Sequence, residues 1–231
     1  MRLLEYAEVV IGNGHWMKGW QTEDRMEGLS VETFDVCGVA TKVVVAGGGV
    51  NRYEVRPFGI KAGFPRSLMC TQEDDEAKLR EATKAATEPG VGVALCYEAA
   101  EGNDTWIGDN GVWTAADIAT GRQVWLDHNV GRPALHLADD MVLAAVNDPA
   151  NRVVLPVGDE FRTIWGDPVV NSPGYLPGAV FWTGPITVYL STVDTDLLYN
   201  ARNNDARVVA NVVAAVDMPP GQVVRIGAVP T

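Results

Sequence analysis

Residues 165–190 read WGDPVVNSPGYLPGAVFWTGPITVYL, and they constrain the fold more than any other part of the chain. Pro173, Gly174, Pro177 and Gly178 interrupt helix and strand alike, while β-branched and aromatic residues flank them on both sides. The stretch therefore predicts strand, structured loop, strand. Val169 and Val170 end at the turn signal Asn171-Ser172-Pro173-Gly174, a second turn follows at Pro177-Gly178, and Ile186 to Leu190 resume an extended pattern. So much bulky apolar surface beside so many breakers raises the question of what such a loop is for.

Other elements follow from the same kind of reading. TQEDDEAKLREATKAATEPG, residues 71–90, predicts a helix over 71–88. Thr71 suits an N-cap accepting from the Asp74 N–H, and Glu73, Asp74, Asp75 and Glu76 favour the positive end of the helix dipole. Asp74 to Lys78 and Glu76 to Arg80 are i,i+4 pairs of the better orientation, Leu79, Ala82 and Ala86 form a narrow apolar stripe, and Pro89-Gly90 is the stop. Residues 131–149 predict a second helix from the spacing of Leu135, Ala138, Val142 and Ala145, with Pro133 in the first turn and Asn147-Asp148-Pro149 closing it. Val39 to Ala46 and Val50 to Val55 flank Gly47, Gly48 and Gly49 and predict a hairpin; no helix and no Gly-Lys-Ser/Thr follows, so the glycines do not read as a phosphate loop. Residues 205–226, valine-rich around Pro219-Pro220-Gly221, predict two paired strands. Residues 102–113 are a turn-rich loop with tryptophans. The fold class expected is α+β.

The chain of 231 residues can bury a core without staples. No run of apolar residues is long enough to span a membrane, and Glu5 and Glu8 interrupt the first ten residues before a signal-peptide core could form. Cys37, Cys70 and Cys96 lie far apart, without the spacing of a zinc site or a disulfide framework, and read as buried thiols. A net charge of −12 argues against a surface that grips nucleic acid.

Chemistry is sparse. His15, His128 and His136 are the only histidines, and no nucleophile elbow accompanies them. Asp127 and His128 with His136, Asp139 and Asp140 form one cluster that could bind a metal or move protons. At i, i+3 and i+4 of the second helix, however, His136, Asp139 and Asp140 read as its wet face, and their spacing matches no ligand signature. No catalytic, cofactor-binding or metal site is assigned, no cofactor is expected, and a binding or assembly role is favoured over an enzyme.

Read in order, the chain resembles the HK97-fold major capsid proteins of tailed bacteriophages, in particular a compact group from phages of actinobacteria. The resemblance rests on GWQTEDRMEGLSVETFDVCG, on YEVRPFGIKAGFPRSLMCTQ with its "PF-x-(I/V)-x-A" segment and nearby cysteine, and on the acidic-start helix. In the second half it rests on LHLADDMVLAAVN, on GDPVVNSPGYLPGAVFWTGPITVYLS, and on YNARNNDARVVANVVAAVDMPPGQVVRIG. It implies an N-terminal arm over 1–37, an extended E-loop hairpin over 38–57, a peripheral domain over 58–89 and 186–231 with spine helix 71–88, and an axial domain over 90–185. It also implies a non-enzymatic subunit that self-assembles through pentamers and hexamers into an icosahedral head enclosing double-stranded DNA. That head would be assembled in the host cytoplasm, with no sequence-specific DNA binding, no membrane, and separate scaffold, portal or decoration partners. Gly47, Gly48, Gly49, Arg52, Tyr53, Trp106, Trp113 and Tyr175 are the expected inter-subunit contacts. The chain is short for this fold and shows no scaffolding segment, and no Lys and Asn are placed for a covalent crosslink. Alternatives are a head–tail connector, decoration or tail-tube protein, an encapsulin-like compartment, and a small metal-dependent enzyme centred on His128 and His136.

Overall fold

A computed structural model describes residues 1–12, 18–23, 34–35, 52–55, 57–65, 75–101, 107, 113–200, 205–218 and 221–226. The chain divides into two compact units. One comprises Met1–Val9, Val91–Val188 and Val216–Thr231, and the other Val10–Gly90 and Tyr189–Ala215.

The first unit is built on a four-stranded sheet of β6 (Ala134–Leu137), β9 (Val169–Asn171), β10 (Val180–Thr183) and β14 (Val223–Arg225), in the order β14-β10-β6-β9. β10 runs antiparallel to β6, pairing Phe181 with His136 and Trp182 with Leu135, and β6 runs parallel to β9. Every residue of β6 and β10 is buried, so both faces of the sheet's centre are covered. Because side chains alternate, Val180, Trp182, Leu135, Leu137, Val169 and Val224 share one face. They pack with Ile118 and Trp125 of α3 (Ala115–His128), Ala145 of α4 (Asp139–Asn147), and Val153 and Val154. Phe181, Thr183, His136 and Val170 line the opposite face. The indole N–H groups that this packing buries find acceptors: Trp182 Nε1 donates to the Ile118 carbonyl at 3.0 Å and Trp125 Nε1 to the Gln222 carbonyl at 2.9 Å. β7 (Val154–Val157) and β8 (Glu160–Thr163) form an antiparallel ribbon. The short α1 (Leu3–Tyr6) brings Leu3 into the interior, and the Asn171 N–H donates to the Met1 carbonyl at 3.1 Å.

In the second unit, β13 (Asp205–Asp217) is antiparallel to both β12 (Asp194–Asn200) and β5 (Pro57–Pro65), with Val212 opposite Ile60 and Asn211 opposite Asp194. β1 (Glu8–Gly12) and β11 (Thr187–Ser191) complete that sheet in the order β1-β11-β13-β12. β2 (Lys18–Glu23), β3 (Phe34–Asp35) and β4 (Arg52–Val55) make a three-stranded sheet with β2 in the middle.

Several expectations need correction. The helix expected to stop at Pro89-Gly90 is α2 (Asp75–Glu101), which runs through both; residues 71–74 lie outside the described part. Its buried ladder, Leu79, Thr83, Thr87, Val91, Leu95 and Ala99, keeps a four-residue spacing across the proline. An interior proline costs about 3 kcal/mol. Fully burying Val91 and Leu95 returns about 1.5–3 kcal/mol each, so continuation wins. Thr83 and Thr87 enter the ladder because their hydroxyls donate to the carbonyls of Leu79 and Thr83, at 2.9 and 3.0 Å. Gly90 marks close approach instead of termination: a Cβ there would sit 2.5 Å from Ile60 Cδ1.

The helix expected over 131–149 is strand β6 followed by α4. Ala138, with φ −62 and ψ 153, separates them. A strand buried on both faces shows no alternation, and its apolar residues chanced to fall at helical spacing. The two strands in 205–226 exist but do not pair with each other: β13 belongs to one sheet and β14 to the other. The hairpin across Gly47, Gly48 and Gly49 lies largely outside the described residues; its described part, β4, pairs with β2, Trp20 facing Val55 and Glu23 facing Arg52. The sequence reading missed α3, whose signal was Thr114-Ala-Ala-Asp117. The Thr114 hydroxyl accepts from the Asp117 N–H at 3.2 Å and Asp117 Oδ2 accepts from the Thr114 N–H at 2.7 Å, a reciprocal capping box.

Gly121 sets how closely α3 meets the sheet. A Cβ at that position would lie 2.9 Å from Ile226 Cδ1 and 3.2 Å from Trp182 Cδ1. Gly121→Ala is therefore expected to destabilise the protein by about 1–2 kcal/mol, overpacking outweighing the gain in helix propensity of about 1 kcal/mol. Ile226→Val, which removes the obstructing Cδ1, should recover part of that loss in the double variant. Urea unfolding of the four proteins measures the coupling, and strictly additive effects would refute the contact.

Candidate functional site

The chemistry-bearing residues of the first unit gather at two places. The first is His136, fully buried at the middle of β6. Its Nδ1 lies 2.6 Å from the Tyr175 hydroxyl and its Nε2 2.7 Å from Thr183 Oγ1. Thr183 Oγ1 donates its own proton to the Gly184 carbonyl at 2.9 Å. The threonine oxygen therefore accepts from His136 Nε2–H, and the Tyr175 hydroxyl donates to Nδ1. Phe181 stacks on the ring at 4.8 Å and 7°, Tyr6 meets it edge-on at 5.7 Å, and the Tyr6 hydroxyl donates to the same Gly184 carbonyl at 3.0 Å. Burial holds the imidazole down to about 3 and pushes the Tyr6 phenol up to about 12. Both ring nitrogens of a neutral histidine are engaged, so the group pins β6, β10 and the Tyr175 loop together and has no free position for a ligand.

That loop answers the question raised by its breakers. The Tyr175 N–H bonds to the Ser172 carbonyl at 3.0 Å and the Ala179 N–H to the Leu176 carbonyl at 3.0 Å, making two consecutive turns, with Gly178 at φ 79. α2 lies against it at Gly92, where a Cβ would be 2.5 Å from Ser172 Oγ and 3.2 Å from the Gly174 backbone. Asp139 and Asp140, at the start of α4, tie the two ends: Asn171 Nδ2 donates to Asp139, and the Gly178 N–H to Asp140 at 3.5 Å.

The second gathering surrounds Asp167, whose side chain is 2% exposed. Arg122 Nε approaches Oδ2 at 2.5 Å and Arg132 Nε approaches Oδ1 at 3.1 Å, while the Arg122 guanidinium lies 5.4 Å from the centre of the Trp165 ring.

The sequence-predicted residues are placed as follows. Tyr175 and Trp113 turn into the protomer's own interior, Tyr175 onto His136 and Trp113 Nε1 onto Met141 Sδ at 2.8 Å. Arg52 and Tyr53 are on β4, paired with Glu23 and Thr22. Gly47, Gly48, Gly49 and Trp106, like Cys37, Cys70 and His15, lie outside the described residues. Cys96 is buried, its thiol pushed up to about 11 by burial. His128 is exposed at the end of α3, with Nδ1 2.9 Å from the Val124 carbonyl, whereas His136 is fully enclosed with both ring nitrogens engaged, so the alternative of a cluster around His128 and His136 is not formed. His136 is a buried strand residue and not part of a wet helical face. Among the described residues, no three His, Cys, Asp or Glu side chains converge to hold a metal ion. No described helix is long and apolar enough to cross a membrane.

The lowered basicity of His136 has a signed consequence. The unfolded chain takes up the proton near pH 6.5 and the folded chain only near pH 3. The stabilisation is thus fully present above pH 6.5 and is lost as pH falls toward 3, by about 1.4 kcal/mol per pH unit at the steepest. His136→Gln should lower stability at neutral pH by about 1–3 kcal/mol through unmade hydrogen bonds, and should flatten the fall between those limits. Urea unfolding across that range tests this, and parallel pH profiles for the two proteins would sink it.

No protein-family model matches the chain, and no curated protein sequence matches it. Solved structures do. The capsid of an empty GTA particle superposes with a TM-score of 0.59 at 10% identity, covering 99% of this chain and 89% of that one. Gordonia phage Cozz matches with a TM-score of 0.56 at 12% identity, over 99% and 86%. The SrpI encapsulin complex of Synechococcus elongatus PCC 7942 matches with a TM-score of 0.53 at 10% identity, over 97% and 86%. At such identities the likeness establishes architecture, and that architecture is the HK97-like fold of capsid shell proteins.

Proposed function

We propose that the chain is a structural subunit that self-assembles into the icosahedral head of a tailed bacteriophage, enclosing double-stranded DNA. The observation that carries the proposal is the fold match over 99% of this chain and 89% of a capsid protein's length. The buried polar groups agree with it. His136 and Asp167 both have partners that hold them as fasteners, as a rigid tile requires.

In this reading the unit containing Val91–Val188 is the axial domain, whose loops meet around five-fold and six-fold positions, and the unit containing Val10–Gly90 is the peripheral domain. α2 is the spine. The segment between β2 and β4, with Gly47, Gly48 and Gly49, is the arm that reaches a neighbour, and Arg52 and Tyr53 stand at its base. Each contact between copies can be modest, because closure of the shell makes later contacts effectively intramolecular. Scaffold, portal and decoration proteins would be separate chains. The net charge of −12 fits a wall that encloses DNA without adhering to it.

Electron microscopy of the purified full chain tests the proposal. Closed icosahedral shells are expected; rings or tubes would make it a connector or tail-tube protein, and shells that consistently retain a cargo protein would make it a compartment of the encapsulin kind. Deleting Gly47, Gly48 and Gly49 is expected to leave soluble monomers or small oligomers. Normal shells from that deletion would refute the role of the arm.

A further inference from the structure

The acidity of the chain is unevenly distributed. The residues of the first unit include fifteen Asp and Glu against six Arg and no Lys, so this unit carries nine of the twelve net negative charges, and all five lysines belong to the other unit. Within this acidic unit, three of the four arginines between residues 91 and 188 converge on one turn. Gly166, at φ 85, closes the turn with its N–H on the Thr163 carbonyl at 2.8 Å. The Gly166 carbonyl accepts from Arg132 Nη2 at 2.5 Å and from Arg162 Nη1 at 3.4 Å, which brings two guanidinium groups to one oxygen. The neighbouring Asp167 takes Arg122 and the Nε of Arg132. Glu160, 3.4 Å from Arg162 Nη2, is the second carboxylate. Three cations thus face two anions, a local excess of positive charge in a unit that is otherwise strongly negative.

Asp167 is enclosed, but 58% of the Arg132 side chain and 37% of the Arg162 side chain stay open to solvent. Exposed apolar residues stand close to them in the sequence. Val130, two positions before Arg132, is fully exposed, and Ile164, two positions before Gly166, is half exposed. Gathering like charges on one carbonyl is unfavourable in the isolated subunit, and an incoming carboxylate would relieve it. Exposed arginine with flanking apolar surface is also the composition of an interface centre.

We infer that Val130, Arg132, Arg162 and Ile164 form a docking surface for a carboxylate-bearing face of a second copy of this chain. The partner follows from charge complementarity, since the same unit supplies an excess of nine carboxylates for the patch to meet. A patch on one copy against an acidic face on the next is a heterologous contact, the kind that closes rings. Nucleic acid is the less fitting occupant, because the surrounding negative charge repels phosphate. The inference rests on the assembly proposed above and adds where copies meet.

The test compares the wild-type full chain with the double variant Val130→Asp, Arg162→Glu by sedimentation and light scattering over a concentration series. Neither residue bonds to Asp167, so the thermal unfolding midpoint should stay within about 2 °C of wild type. The concentration for half-assembly should rise about tenfold or more in the variant, and for wild type it should rise between about 0.05 M and about 0.5 M salt. Arg162→Lys, which keeps the charge, should assemble near wild-type concentration and covers the case of a misfolded double variant. Assembly of the folded double variant at wild-type concentration would overturn the inference. So would binding of labelled duplex DNA by wild type that the variant loses. If wild type forms no shells but oligomers that the variant abolishes, the head-subunit reading fails while the docking surface stands; a wild-type chain that stays monomeric throughout removes both.

Discussion

The structure of the first unit depends on a sheet whose two central strands are buried on both faces. Once β6 and β10 are enclosed, every polar group they carry must find a partner within the protein, because an unpaired buried group costs about 1–3 kcal/mol. His136, Thr183, Tyr175 and Tyr6 satisfy one another and the Gly184 carbonyl, and the indole N–H groups of Trp125 and Trp182 reach backbone carbonyls. Side chains that look chemical in the sequence become fasteners. The same enclosure explains the loop between β9 and β10: its prolines and glycines fold it into two tight turns that let Tyr175 return to His136.

Close approach is the second theme. Gly90, Gly92 and Gly121 all stand on helices where glycine is unfavourable, and each lies where a Cβ would meet a neighbouring side chain or backbone. α2 carries two of them together with Pro89, and remains a helix of 27 residues, about 40 Å long, because its buried ladder is continuous. Local propensity is set aside wherever the burial it would sacrifice is larger.

Charge is organised at a scale above single contacts. The lysines are confined to one unit, while three arginines of the other collect at the Gly166 turn. Identities of 10–12% to chains of the same architecture show that this fold tolerates nearly complete replacement of its side chains, provided the pattern of burial persists.

The sequence by itself determined the turns and the β-branched strands that flank them, Val169–Asn171, the paired turns after it and Thr187–Ser191, together with the acidic residues at the front of α2. These are local, because a proline ring, a missing Cβ or a helix dipole acts on its neighbours whatever the rest of the chain does. The order of spaced motifs also pointed to the capsid fold. Tertiary structure alone decided that residues 134–137 are strand, that Pro89 does not end a helix, that β13 and β14 part into different sheets, and that Tyr175 and Trp113 face inward. It also decided that Arg122, Arg132 and Arg162 share one turn. Each of those outcomes depends on which distant residues supply burial or hydrogen bonds, and periodicity along a chain carries no record of what packs across from it.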